Sequence, residues 1–103
     1  MTLNDKLLGA IFGPHTEVGY TDFLNAANLC RTLKGTHVVL LRSEQGHPSL
    51  APVRLVDGKV LRYGSSAWYD AAVFPFPGNR KVESIVGTAD EVEELGFSML
   101  RDS

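Results

Sequence analysis

The chain reads as an α+β domain, with helices on either side of a mainly antiparallel sheet of about four strands. Three observations predict this. Residues 36–64 (THVVLLRSEQGHPSLAPVRLVDGKVLRYG) contain three runs rich in β-branched and apolar residues, parted by Gly46 and Pro48 and then by Asp57-Gly58. The residues before them twice show the apolar spacing of a helix. Thr88-Ala89-Asp90-Glu91 is a capping box that opens an acidic segment. At 103 residues there is room for a single domain, 1–103, and no repeat, low-complexity tract or linker divides it.

Two N-terminal helices are expected. In the first, Leu3, Leu7, Leu8, Ile11 and Phe12 fall on one face, Thr2 caps the start and Gly13-Pro14 ends the run. A loop over residues 15–20 leads to a second helix capped by Thr21. Its apolar arc holds Phe23, Ala26, Ala27, Leu29, Cys30 and Leu33, with Asn25, Asn28 and Thr32 opposite. Gly35 is expected to close this helix as a left-handed residue, after the basic Arg31 and Lys34. Cys30 lies within the arc, which makes it a buried, inert thiol.

Residues 36–43 form a strand that is apolar on both faces, Val38 and Leu40 on one and Val39 and Leu41 on the other. Such a strand is normally covered on both sides, and a few short helices cover only one. Residues 51–56 and 59–63 then form a hairpin around Asp57-Gly58. A two-residue turn would place Val56 opposite Lys59. A turn with a glycine bulge would place Leu55 there instead, setting Val53 opposite Leu61 and Ala51 opposite Tyr63. The bulged register gathers the apolar residues and is the one expected. It makes Arg54 and Arg62 near neighbours on the less apolar face.

Residues 65–73 fit either a short serine-capped helix or an irregular strand. Residues 74–80 (FPFPGNR) are extended, because two prolines exclude a helix and a central strand. Residues 81–86 alternate as the fourth strand. From Thr88 an acidic helix presents Val92, Leu95, Met99 and Leu100 on its apolar side. Continuation past Gly96 is preferred to a stop there, which would leave residues 97–100 as a terminal strand.

Composition narrows the function classes. With 44% hydrophobic and 21% charged residues the chain has the balance of a folded globular domain. A net charge of −2 excludes a basic protein that coats nucleic acid by charge alone. The single cysteine excludes an intramolecular disulfide and a multi-cysteine metal site. The start lacks the pattern of a signal peptide and no apolar run approaches a membrane span, so a cytoplasmic protein is expected. Charge is nevertheless uneven: residues 36–81 carry a net +3 and residues 82–103 a net −5, an arrangement that favours attraction within or between molecules.

No catalytic pattern stands out. His15, His37 and His47 have no metal-ligand spacing, so no metal is expected. Neither G-x-G-x-x-G nor the Walker pattern occurs, and no cofactor is expected. Gly64-Ser65-Ser66-Ala67-Trp68 lacks the closing glycine of a nucleophile elbow, and Glu91, Glu93 and Glu94 read as a solvated helix face. The expectation is therefore a non-catalytic protein-interaction domain, a homodimer or the partner of another protein. Its surface would comprise Arg54, Arg62, Trp68, Tyr69, Phe74, Phe76 and Arg80, and a neighbouring chain would cover the second sheet face. The alternative is a small-molecule-binding protein or small enzyme, with a pocket between the second helix and the sheet near His15, Tyr20 and His37. A weaker alternative is nucleic-acid binding through Arg54, Arg62 and Arg80, with Tyr63 and Trp68 as stacking surfaces.

Overall fold

Helix α1 (Tyr20–Leu33) is followed by strands β1 (His37–Arg42), β2 (Pro48–Val56), β3 (Lys59–Gly64) and β4 (Ala67–Asp70). A 3-10 turn (Pro77–Asn79) then precedes strand β5 (Lys81–Gly87) and helix α2 (Ala89–Arg101), which corrects the expectation that residues 74–80 are extended throughout: Pro77 can open a helical turn, and Gly78 and Asn79 take positive φ, 75° and 57°. The structure, a computed structural model, describes residues 18–102. The expected first helix and His15 lie outside the described residues. The fold is α+β, and the described residues form one antiparallel sheet of five strands, in the order β4-β3-β2-β1-β5, rather than four.

The additional strand is β4. Ser65 and Ser66 both take positive φ, 51° and 69°, and fold Ala67 back onto Gly64. Glycine or asparagine ordinarily marks such a turn. Two serines do not carry that signal, so residues 65–73 fit either helix or strand by sequence alone.

The termini of α1 also differ from expectation in detail. Gly19, not Thr21, is the N-cap, and its N–H donates to the Asp22 carboxylate at 2.9 Å. Lys34, not Gly35, is the left-handed residue (φ 63°) at the C-terminus. Gly35 serves close packing instead: a Cβ there would lie 3.0 Å from the Val53 carbonyl and 3.1 Å from Cys30 Sγ. Its N–H donates to the Cys30 carbonyl and closes the helix.

The hairpin register is the tight one. Val56 pairs with Lys59, Leu55 with Val60, Arg54 with Leu61 and Val53 with Arg62. Asp57 (φ 51°) and Gly58 (φ 78°) both lie in the left-handed region, as a two-residue type I′ turn requires. Arg54 and Arg62 consequently point to opposite faces, which corrects the expectation that they are neighbours. The apolar gathering that favoured the bulge is unnecessary because each arginine lies over an aromatic ring. Arg54 sits 4.6 Å from the Trp68 ring and Arg62 5.7 Å from that of Tyr69. An arginine stem and its flat guanidinium pack on such rings nearly as apolar groups do.

Both faces of β1 are covered by the same chain. On one face Val38 and Leu40 pack with Phe23, Ala26, Ala27 and Cys30 of α1 and with Val92 and Leu95 of α2. On the other, Val39, Leu41 and Val53 pack against Phe76, which is only 7% exposed. The second cover is thus the connector between β4 and β5. The margin of that face stays open, with Val82 and Ile85 of β5 exposed. α2 begins on the expected box: Thr88 Oγ1 accepts from Glu91 N–H at 3.3 Å, and Thr88 N–H donates to the Glu91 carboxylate at 3.0 Å. It continues through Gly96, which is buried against Phe23 and Leu24 of α1.

The uneven charge is partly neutralised internally. Arg42 of β1 pairs with Glu83 of β5 at 2.9 Å, and Arg31 of α1 reaches Asp90 and Glu93 of α2 at 2.6 and 2.8 Å. Among the described residues, no helix is long and apolar enough to cross a membrane.

Candidate functional site

A cleft opens where β3 leaves β2. The two strands pair from Val56 back to Val53, and the ladder ends there. Pro52 explains why. The Val53 carbonyl accepts from Thr36 N–H on the β1 side, so by strand alternation the backbone of residue 52 faces β3. Proline has no N–H to offer, and the ladder cannot continue. Pro48 repeats the gap four residues earlier. Beyond Arg62, β3 pairs only with β4, through Tyr63 and Gly64.

The space left is a cleft of about 650 Å³. Leu29 and Leu33 of α1 line one side, Ala51 and Pro52 of β2 the back, and Tyr63, Gly64 and Ser65 the opposite lip. Phe76, Pro77 and Arg80 of the connector complete it, and Arg62 belongs to the same lining. Leu29 is 46% exposed although it belongs to the apolar arc of its helix, because this part of the arc faces the cleft and not the core. A smaller depression of about 270 Å³ adjoins it, lined by Arg62, Gly64, Ser65, Tyr69 and Phe74.

The two arginines are held in similar ways. Arg62 Nε donates to the Phe74 carbonyl at 2.6 Å, and Arg80 Nε donates to the Pro77 carbonyl at 2.9 Å. Arg80 Nη1 also donates to Ser49 Oγ at 3.1 Å. Among the described residues neither guanidinium pairs with a carboxylate. Both Nη groups of Arg62 and Nη2 of Arg80 therefore keep donors for a ligand. Gly64 makes room for this: a Cβ at that position would lie 2.6 Å from Arg62 Nη1. Anchored guanidinium groups beside an apolar lining can bind an anionic group attached to an apolar body.

The surface expected from sequence is divided between two sides of the molecule. Arg62, Tyr69, Phe74, Phe76 and Arg80 are gathered on the connector side, where the Tyr69 and Phe74 rings meet edge to face at 5.3 Å. Phe76 is core and not surface. Arg54 and Trp68 lie on the helix side. There Arg54 Nε donates to the Lys34 carbonyl at 3.0 Å, so its charge sits at the C-terminus of α1. Trp68 is held between Arg54 and Tyr63, whose ring lies 5.4 Å away.

The expected pocket at His15, Tyr20 and His37 is not assembled among the described residues. Tyr20 and His37 stand near opposite ends of α1, whose 14 residues span about 20 Å. His37 Nδ1 lies 2.9 Å from Thr36 Oγ1. Among the described residues no group of three or more His, Cys, Asp or Glu converges as metal ligands would. Cys30 is buried, and burial raises its thiol pKa against a smaller lowering effect of Arg31.

Sequence reasoning missed Leu29, Leu33, Ala51, Pro52 and Ser49 as site residues. A signal for them existed, in two prolines four apart within one strand of a meander. Comparison of the chain with protein-family models, curated proteins and solved structures gives no match.

Proposed function

We propose that this protein is a non-catalytic binding domain that takes an anionic ligand with an apolar body in the cleft between β2, β3 and the connector. One observation carries the reading: Arg62 and Arg80, anchored by backbone carbonyls and without carboxylate partners among the described residues, share a cleft with Leu29, Leu33 and Phe76. The expected pocket against the second helix is thereby moved to the C-terminal half of that helix. Pro48 and Pro52 favour a ligand recognised through side chains over a peptide strand added to β2, because they remove the donors such a strand would pair with. The cytoplasm is the setting that accords with the composition.

The test is calorimetric titration with octanoate, octyl phosphate, octanol and octylamine. The anionic members bind and the neutral and cationic ones do not, and Arg62→Ala/Arg80→Ala abolishes binding in a folded protein. Equal binding of octanol and octanoate would remove the arginines from the site.

Self-association is the second reading, supported by the exposed Val73, Phe74, Val82 and Ile85 on the connector side. Light scattering decides it: a dimer mass lost in Ile85→Glu supports it, and the mass of one chain at high concentration removes it.

A further inference from the structure

We infer that the cleft is built for a two-headed anion, a dicarboxylate whose acid groups are joined by an apolar spacer; this rests on the cleft reading above and names its ligand class. The ground is the way the connector spaces the two cations. Arg62 is tied to the carbonyl of residue 74 and Arg80 to that of residue 77. Between them Pro75 and Pro77 have φ fixed by their rings, and Phe76 is extended (φ −60°, ψ 144°). Pro77 then opens the 3-10 turn, so the two carbonyl anchors lie on either side of a short extended step. The two guanidinium groups are thus anchored at different points of the connector, and outside the cleft they border separate depressions rather than converging on one point.

The lining matches this separation. Arg62 borders both the cleft and the depression at Tyr69 and Phe74, whereas Arg80 borders both the cleft and a second depression at Glu44, Asn79 and Lys81. The cleft between the two is lined by Leu29, Leu33, Ala51 and Phe76. A ligand with one charge leaves one guanidinium unmatched. A ligand with two charges and a methylene spacer engages both and buries its middle against the apolar wall. Gly64 sets the position of the first head, since the guanidinium lies across the space a Cβ would fill.

The experiment is calorimetric titration of the intact chain with succinate, adipate, suberate and sebacate, and with hexanoate and octanoate. A diacid of intermediate length binds about tenfold more tightly than the monoacid of equal length, the size of one added charge-assisted contact. Arg62→Ala and Arg80→Ala each reduce the diacid to the level of the monoacid. Gly64→Ala weakens it, and Arg54→Ala, on the other face, leaves it unchanged. Monoacids that bind as tightly as diacids, or diacid affinity indifferent to length, overturn the two-headed ligand and leave the anionic cleft standing. No binding by any acid, in a chain whose circular dichroism is intact, overturns both.

Discussion

Arg62 and Phe74 are joined by a hydrogen bond of 2.6 Å, guanidinium to carbonyl, that ties the middle of β3 to the connector twelve residues on. The bond does two things at once. It aims the remaining donors of Arg62 at the cleft, and it holds Phe74 beside Tyr69 so that the connector can bring Phe76 onto the second face of the sheet.

Arg62→Ala is therefore expected to destabilise the fold by about 1 kcal/mol, through a lost charged hydrogen bond and the stacking on Tyr69. Arg62→Lys restores less than half, because an ammonium cannot reproduce the flat, forked contact. Urea unfolding followed by Trp68 fluorescence measures both. A wild-type midpoint in Arg62→Ala would show that the connector docks through Phe76 alone.

Gly96→Ala should lower the melting temperature, although alanine is the better helix former by about 1 kcal/mol. The added Cβ would lie 3.0 Å from Leu24 Cδ2 and 3.1 Å from Phe23 Cβ, and Phe23 is fully buried and cannot move aside. Overpacking of this kind costs about 1–3 kcal/mol. A raised melting temperature would mean that the two helices separate freely.

The capping box of α2 predicts an acid-side dependence. The Thr88 backbone N–H and then its hydroxyl hold the Glu91 carboxyl below the usual carboxylate range. A depressed folded pKa means that this stability is present above the ordinary carboxylate pKa and is lost as pH falls through the lowered one. Thr88→Ala should cost about 1 kcal/mol at neutral pH. The gap between Glu91→Gln and wild type should close toward acid in urea titrations, and a gap that stays constant with pH would sink the assignment.

Cys30 supplies the alkaline counterpart. Burial raises its pKa above the ordinary thiol value, so its contribution is intact below that value and is lost as pH rises through the raised one. Alkylation by iodoacetamide should be slow in the folded protein and should rise with urea along the unfolding curve. Rapid labelling without urea would contradict the buried position.

Much of the architecture was legible because it is written in local chemistry. The apolar arc of α1 and the Thr88 box of α2 are fixed within a few residues of chain, as is the two-sided β1. The hairpin shows where legibility stopped. Its strands were readable, but its register depended on whether Arg54 and Arg62 had aromatic rings to lie on, and Trp68 and Tyr69 belong to a strand hidden behind a Ser-Ser turn. Gly96 resembles a helix stop in sequence because its partner surface, Phe23 and Leu24, is some seventy residues away in the chain.

By itself, then, the sequence determined an α+β domain with a doubly apolar strand and a capped acidic C-terminal helix. These follow from periodicity and capping. Only the tertiary structure decided that Phe76 is the cover of the second face, and that Arg62 and Arg80 share a cleft from which Arg54 is excluded. The physical reason is that burial and charge pairing are set by residues distant in the chain. Pro52 broke the ladder locally, but what fills the opening came from α1 and from the connector.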